Sequence, residues 1–486
     1  MKRIKRIVFI SSEAVPFAKS GGLADVSGAL PAALKKLGVE VSIILPLYRT
    51  VKEKGFPLVR MPGRVHVPLG SDTLSAAVYK HITTDGPDAY FLDREEFFDR
   101  RGLYGTEEED YFDNLERFTF FSHCALQLID GLIPAPDILH CHDWQTGLVP
   151  ALRIGPFSDK PLIYRIPVLF TIHNLGYQGI FPAEKFSLTG LEKDRFFTME
   201  ALEYWGKISL LKAGILFADA VTTVSPTYSK EILTPQYGKG MEGILQKRAG
   251  DLHGILNGVD YMDWDPETDR YLPSNYGPES LAGKMVCKRE LLNEIKINGK
   301  SVEKPLLAMV SRLDNQKGID LVLKILDDLL KQDLSLLILG SGGSDIVGPL
   351  KAAAKKSKGR LVLKTGFDEG LAHRIMGGAD IFLMPSRYEP CGLTQMYALK
   401  YGTIPVVRAT GGLEDTVKQF DRKTGKGNGF KFIPYEAGAF LRAVKDSLKF
   451  FNDPSAWKGI QENAMSEDFS WARSAKRYMS LYKSLI

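Results

Sequence analysis

From residue 306 onward the chain alternates short apolar runs with stretches of helical spacing, and this rhythm restricts the fold more than any other feature. The runs 306–310 (LLAMV), 335–339 (SLLIL), 361–364 (LVLK), 381–384 (IFLM) and 405–408 (PVVR) are almost wholly apolar. Segments near 317–331, 345–357, 369–378, 392–401 and 412–419 separate them and carry helical spacing. A strand that is apolar at successive positions is buried on both faces. Strict alternation of such strands with helices predicts a parallel, doubly wound sheet with helices on both sides.

The first half shows the same rhythm with one interruption. A strand at 6–10 leads through a loop at 11–20 to a helix near 22–37, which Gly38 ends as a left-handed cap. A strand follows at 39–45. The region 55–95 has alternating or short apolar runs at 64–68, 74–82 and 89–92 and reads as an inserted β meander. Residues 99–110 read as a polar loop and 111–129 as an aromatic-rich helix. Strands then recur at 137–141, 168–172 and 220–224, with a helix at 208–217. The composition breaks at 254–269 (GILNGVDYMDWDPETD), where the linker is expected, and the tail at 471–486 is an amphipathic helix. A chain of 486 residues also exceeds what one hydrophobic core normally organises, so two domains are expected.

The totals exclude several classes. The excess of 63 basic over 58 acidic residues leaves a net charge of only +5, too small to argue for nucleic acid or a membrane surface as partner. The basic start MKRIKRIVFISSE holds an apolar run of four residues, which suits a first strand better than a signal peptide. The four cysteines are widely spaced and form no CxxC, which points to a reducing compartment without a disulfide framework.

Candidate chemistry collects where predicted strands end. The stretch 386–417 (SRYEPCGLTQMYALKYGTIPVVRATGGLEDTV) reads as turn, helix, strand, turn and helix. Helix N-termini suit a phosphate, and Glu389 lies beside one in a turn stiffened by Pro390 and Gly392. Arg312 and Lys317 follow the strand 306–310 directly, where ligands of open α/β sheets bind and where two cations can neutralise a departing diphosphate. Lys19 precedes Gly21-Gly22, whose amides a phosphate can approach closely; the spacing is neither GxGxxG nor a Walker loop. Gly21-Gly22-Leu23-Ala24-Asp25 is echoed by Gly411-Gly412-Leu413-Glu414-Asp415. The echo leaves two readings open: two good turns, or two helix N-termini serving one ligand. His140 and His142 share a strand face and so invite a metal, but no HExxH, third spaced histidine or cysteine cluster supports one. His173 ends a neighbouring strand.

Together these stretches resemble the bacterial glycogen synthase and plant starch synthase family. The resemblance rests on KSGGLADVSGALP at 19–31, HCHDWQTGL at 140–148, TIHNLGYQG at 171–179, ILNGVD at 255–260, SRLDNQKG at 311–318 and the stretch 386–417. It implies the GT-B arrangement: two Rossmann-like domains facing across a deep cleft, residues 1–258 on the acceptor side and 259–469 on the donor side. The C-terminal helix, 470–486, returns to the first domain. It implies retaining transfer of glucose from ADP-glucose to the non-reducing end of an α-1,4-glucan in the cytoplasm, with release of ADP and no metal or other cofactor.

Carried over by motif, Lys19 and the amides of Gly21 and Gly22 meet the donor diphosphate, as do Arg312, Lys317 and the Gly392-Leu393-Thr394 segment. Glu389 binds hydroxyls of the transferred glucose, and His173 stands near its anomeric centre and 6-hydroxyl. Asn257 touches the cleft, and Asp143, Trp144 and Tyr104 line the acceptor side. Two positions depart from the pattern of related enzymes: Tyr397 stands where the wider group of retaining enzymes has a second glutamate, and Gln145 replaces a histidine after Trp144. The rival readings are a relative using UDP-glucose or making another α-glucoside, an inactive glucan-binding scaffold, and a nicotinamide oxidoreductase. The last lacks the dinucleotide fingerprint. The retained cations argue against the scaffold, since a binder needs no diphosphate charge partners.

Overall fold

A computed structural model describes residues 4–83, 86–106, 108–131, 134–297 and 302–486. The first three residues of the basic start and position 107 of the polar loop lie outside these. The chain divides into two compact units, Met1–Gly258 with Trp471–Ile486, and Val259–Ser470.

Among the described residues of the first unit, ten strands form one sheet. Its spatial order runs Leu252–Gly254, Ala220–Thr223, Val168–Ile172, Ile138–His142, Arg6–Ile10, Glu40–Pro46, Asp88–Asp93, Asp72–His81 and Val59–Arg60, with Val65–Leu69 paired to Asp72–His81. The neighbours from Leu252–Gly254 through Asp88–Asp93 are parallel. Every residue of Val168–Ile172 and of Ile138–His142 is buried, as expected for strands covered on both faces. The expected meander is present, since Val65–Leu69, Asp72–His81 and Asp88–Asp93 pair antiparallel in succession, and its last strand joins it to this sheet. Asp88–Asp93 pairs parallel with Glu40–Pro46 on one side and antiparallel with Asp72–His81 on the other. Alternating burial along Val65–Leu69 marks an outlying strand covered on one face only.

Among its described residues, the second unit holds a six-stranded parallel sheet in the order Leu361–Thr365, Ser335–Gly340, Leu306–Val310, Ile381–Met384, Ile404–Arg408 and Phe430–Phe432. The order reverses direction at Leu306–Val310 and Ile381–Met384, so the loops after these two strands flank a switch point. The predicted helices are present as Ile319–Leu330, Ser344–Lys356, Glu369–Gly378, Thr394–Lys400 and Gly411–Thr416. Among the described residues of this unit, the helices Ala282–Glu294, Ala437–Phe451 and Pro454–Met465 were not expected from the sequence, nor was a small sheet of Ile180–Pro182, Glu203–Tyr204 and Lys207–Ser209 in the first unit.

The final helix, Trp471–Ser484, buries Trp471, Ser474, Ala475, Tyr478 and Tyr482, a stripe of helical spacing, in the core of the first unit. Its first turn presses on the last residue before the unit boundary. A Cβ on Gly258 would lie 2.6 Å from Trp471 Cα and 2.7 Å from its ring. Gly258→Ala is therefore expected to destabilise the first unit by about 1–3 kcal/mol, the usual cost of overpacking, read as a lowered denaturation midpoint.

Candidate functional site

In the first unit, three loops at the carboxyl ends of parallel strands carry the candidate groups. The loop after Arg6–Ile10 leads to the helix Gly22–Lys36 and is organised by Glu13, a residue the motif search did not single out. Glu13 is 3% exposed, and its carboxylate accepts from the Ser20 hydroxyl at 2.7 Å, the Gly21 amide at 3.2 Å, the Tyr104 hydroxyl at 2.5 Å and the Ser20 amide. The Gly21 amide expected at a phosphate is thus engaged by a carboxylate of its own loop. Tyr104, expected on the acceptor side, is tied to this loop and also meets Ser12 Oγ at 2.7 Å. Burial and the Glu13 charge push its phenol well above the usual range. Lys19 pairs with Asp25 at 2.7 Å and stays about half exposed.

The two Gly-Gly pairs exist for different reasons. Cβ atoms on Gly21 and Gly22 would meet nothing within 4 Å, so packing does not require glycine there. A Cβ on Gly411 would lie 1.9 Å from the Glu389 carbonyl oxygen, and one on Gly412 2.0 Å from that of Cys391. The Gly412 amide also donates to the carbonyls of Glu389 and Pro390. The second pair lets two turns of one unit touch, which accounts for its glycines without a ligand; the open first pair leaves room for a ligand's approach.

The strands Ile138–His142 and Val168–Ile172 place their histidines side by side. His140 and His142 share a face, with ring centroids 4.1 Å apart, but their nitrogens do not converge. His140 meets Thr171 Oγ1 at 2.7 Å and the Tyr482 hydroxyl at 2.8 Å, while His142 Nδ1 meets His173 Nε2 at 3.0 Å. Among the described residues no three His, Cys, Asp or Glu side chains are grouped to hold a metal ion. Asp143 Oδ1 accepts the His173 amide at 2.7 Å, so this carboxyl positions the His173 turn. Asp143 itself sits at φ +54°, a left-handed conformation costly for a non-glycine residue. Burial lowers His173 to about 3 and raises Asp143 to about 7, against the pull of the His173 and Asn174 amides. Trp144 is 9% exposed, its ring packed against Phe118, Tyr104 and Phe181. It therefore supports the loop from within instead of offering an open face. Gln145 and Asn257 are buried, each with its side-chain oxygen lacking a hydrogen-bond partner among the described residues.

In the second unit, Lys317 and Glu389 meet although 72 residues separate them. They follow the adjacent parallel strands Leu306–Val310 and Ile381–Met384, and the Arg387 amide donates to the Gln316 carbonyl at 2.8 Å to join the two loops. Gly318, at φ +75°, permits this approach, since a Cβ there would lie 2.0 Å from the Pro385 carbonyl oxygen. Lys317 Nζ donates to both Glu389 oxygens, at 2.8 and 2.6 Å, and Ser386 Oγ adds a third bond at 3.0 Å. Arg312 is more exposed and reaches Asp314 at 3.1 Å and Gln316 at 3.2 Å. The helix expected from Gly392 begins at Thr394: Gly392 has φ +69°, outside helical geometry, and Leu393 caps the helix. The Thr394 hydroxyl lies 3.5 Å from Met384 Sδ. Tyr397 stacks on Trp264, rings 4.0 Å apart and 3° from parallel, with His373 on Trp264's other contact at 3.7 Å. That position is part of an aromatic stack, so the missing second glutamate takes nothing from the Glu389 turn. Phe367, two residues past the carboxyl end of Leu361–Thr365, is 85% exposed.

With this geometry in view, the comparisons decide the family. The starch synthase catalytic domain model matches residues 6–247, and the glycosyl transferases group 1 model matches residues 292–464. The chain is 47% identical over 480 residues to a glycogen synthase of Anaeromyxobacter sp. (strain Fw109-5), covering 99% of each. It is 44% identical over 478 residues to one of Koribacter versatilis (strain Ellin345), covering 98% of this chain and 97% of the relative. The chain belongs to the glycogen and starch synthase family. Among solved structures, the catalytic domain of starch synthase IV from Arabidopsis thaliana, bound to ADP and acarbose, matches with a TM-score of 0.91 and 32% identity, over 100% of this chain and 99% of that one. The sucrose-phosphate synthase of Thermosynechococcus elongatus shares the fold, with a TM-score of 0.61 at 18% identity. The family's two-domain α/β architecture with parallel sheets is that of the chain, which is a glycosyltransferase. No helix among the described residues is long and apolar enough to cross a membrane.

One pH dependence follows for this synthase-family site. Between Asp143's ordinary 3.8 and its folded value of about 7, the folded chain holds a proton that the unfolded chain releases. Raising the pH through that window therefore lowers stability, by at most about 1.4 kcal/mol per pH unit. Asp143→Asn keeps the acceptor for the His173 amide and cannot ionise. The stability difference, variant minus wild type, is expected to grow in the variant's favour from pH 4 to pH 7, measured by denaturant titration at each pH.

Proposed function

We propose that the protein is a glycogen synthase that transfers glucose from ADP-glucose to the non-reducing end of an α-1,4-glucan with retention, releasing ADP. The observation that carries this reading is the Lys317–Glu389 pair at the carboxyl ends of two central strands. It sets a cation for phosphate beside a carboxylate that is held in one direction.

In this reading Glu389 binds glucose hydroxyls. Lys317 and Ser386 together engage both its oxygens, which draws charge from the carboxylate and weakens it as a covalent nucleophile. Transfer then proceeds on the face the leaving phosphate vacates. Arg312 and Lys317 neutralise the diphosphate as ADP departs, with the Gly392-Leu393-Thr394 segment beside them. The exposed Phe367 ring suits the face of the donor's base. In the first unit, Lys19 and the Gly21-Gly22 turn, which has no neighbour where a Cβ would stand, are assigned to phosphate binding. His173, held neutral by burial, donates to the 6-hydroxyl, Asn257 touches the donor, and Asp143, Trp144 and Tyr104 shape the acceptor side. Each cation already has an internal partner, so the donor binds by exchange: its phosphates replace Asp25 on Lys19 and share Arg312 with Asp314. Three cations supply the charge that a metal would otherwise provide, and we assign no metal or cofactor to the reaction. Four buried, unbridged cysteines suit a cytoplasmic enzyme.

Purified protein given ADP-glucose and glycogen is expected to release ADP at a rate unchanged by a chelator, and much faster than UDP from UDP-glucose. No nucleotide release from either donor would leave only the binding-scaffold reading. Faster release from UDP-glucose would move the assignment to that donor. Lys19→Ala is expected to lower kcat/KM for ADP-glucose by about a hundredfold or more, the cost of one electrostatic stabiliser; an unchanged value would remove Lys19 from the diphosphate site.

A further inference from the structure

The three clustered histidines contain one nitrogen that the site description leaves unexplained. His140 has a hydroxyl at each ring nitrogen, Tyr482 at Nδ1 and Thr171 at Nε2. A hydroxyl gives or takes a hydrogen bond, so either tautomer of His140 is satisfied. His142 differs. Its Nδ1 faces His173 Nε2 at 3.0 Å, and its Nε2 is buried with no hydrogen-bond partner among the described residues. Phe9, stacked at 5.3 Å, and His140, at 4.1 Å, press on the ring.

A bond between two imidazole nitrogens needs one hydrogen. If His173 supplied it from Nε2, a neutral His142 would carry its own hydrogen on Nε2, as a buried donor with no acceptor. If His142 supplies it from Nδ1, Nε2 is only a bare lone pair. An orphaned buried N–H is the rarer and costlier of the two. An added proton on any of the three rings is opposed by the same burial, which holds His140 and His142 well below their usual range.

We infer that His142 is a positioning residue for His173: its Nδ1–H donates to His173 Nε2 and fixes His173 as the Nδ1-protonated tautomer. His173 then offers an N–H donor, not a lone pair, on its other ring nitrogen. Under the synthase reading, on which the functional half of this inference rests, that N–H meets a hydroxyl oxygen of the transferred glucose. His173 orients the sugar and takes no proton from it. The C-terminal helix enters the same arrangement, because Tyr482 braces His140, whose ring lies against His142.

Long-range proton–nitrogen NMR on the full chain, with nitrogen-15 in its eight histidines, reads the tautomers without substrate. A failed synthase assay therefore leaves the tautomer result intact. His173, assigned by loss of its signals in His173→Asn, is expected to carry hydrogen on Nδ1 and a bare Nε2, unchanged from alkaline to mildly acidic pH. An Nε2-protonated or imidazolium His173 in that range would overturn the inference. In His142→Leu the His173 signals are expected to become those of a tautomer mixture, and kcat to fall about tenfold, the size of one mis-set hydrogen bond, with KM for ADP-glucose little changed. His142→Asn, whose side-chain amide donates from nearly the same place as Nδ1, is expected to restore the single tautomer and most of kcat. Equal losses in the two variants, or a single unshifted His173 tautomer in His142→Leu, would show His142 to be only a packing residue.

Discussion

Strands buried on both faces impose the rest of this structure. A parallel strand cannot turn straight back to its neighbour, so each must be followed by a crossing segment, and the crossing helices cover both sides of the sheet. The loops that leave the carboxyl ends are then gathered along one edge of each sheet. Lys317 and Glu389, distant in sequence, become neighbours because the strands that precede them are adjacent. His142 and His173 meet for the same reason. Neither meeting depends on the loops' own preferences beyond a few glycines that permit close backbone approach.

A second constraint acts at those edges. Charges and polar groups withdrawn from water need partners, and here the partners come from the same unit. Lys317 is held by Glu389, Lys19 by Asp25 and Arg312 by Asp314, while Glu13 takes up hydroxyls and amides of the glycine loop. These pairs are unequal. Lys317–Glu389 is largely buried, so it is a fixed part of the site. Lys19–Asp25 and Arg312–Asp314 lie in or near solvent, where an ion pair contributes little and exchanges readily. The exposed pairs leave Lys19 and Arg312 free to change partner, while the buried pair holds Lys317 and Glu389 to each other.

The differences between sequence reading and structure share a cause. The small sheet around Ile180–Pro182 and the helices Ala437–Phe451 and Pro454–Met465 carried no site motif, and the sequence reading did not extend to them. The meander's link to the main sheet was not legible, because the parallel pairing of Asp88–Asp93 with Glu40–Pro46 joins segments more than 40 residues apart in the chain. The Gly-Gly echo showed two turns but not their purposes, since a glycine needed for backbone contact and one left open look identical in sequence.

The sequence alone determined the parallel strands of both sheets, the helices between those of the second unit and a composition break around residue 258. Apolar runs, helical spacing and motif order are local signals, and each is written in consecutive residues. Only the tertiary structure decided which groups answer one another. Glu13 fills the glycine loop, Asp143 holds the His173 turn, Tyr397 belongs to an aromatic stack, and Tyr482 braces the histidines from the far end of the chain. Those partnerships arise from desolvation. A buried polar group takes the partner that folding brings within reach, however far apart the two stand in the sequence.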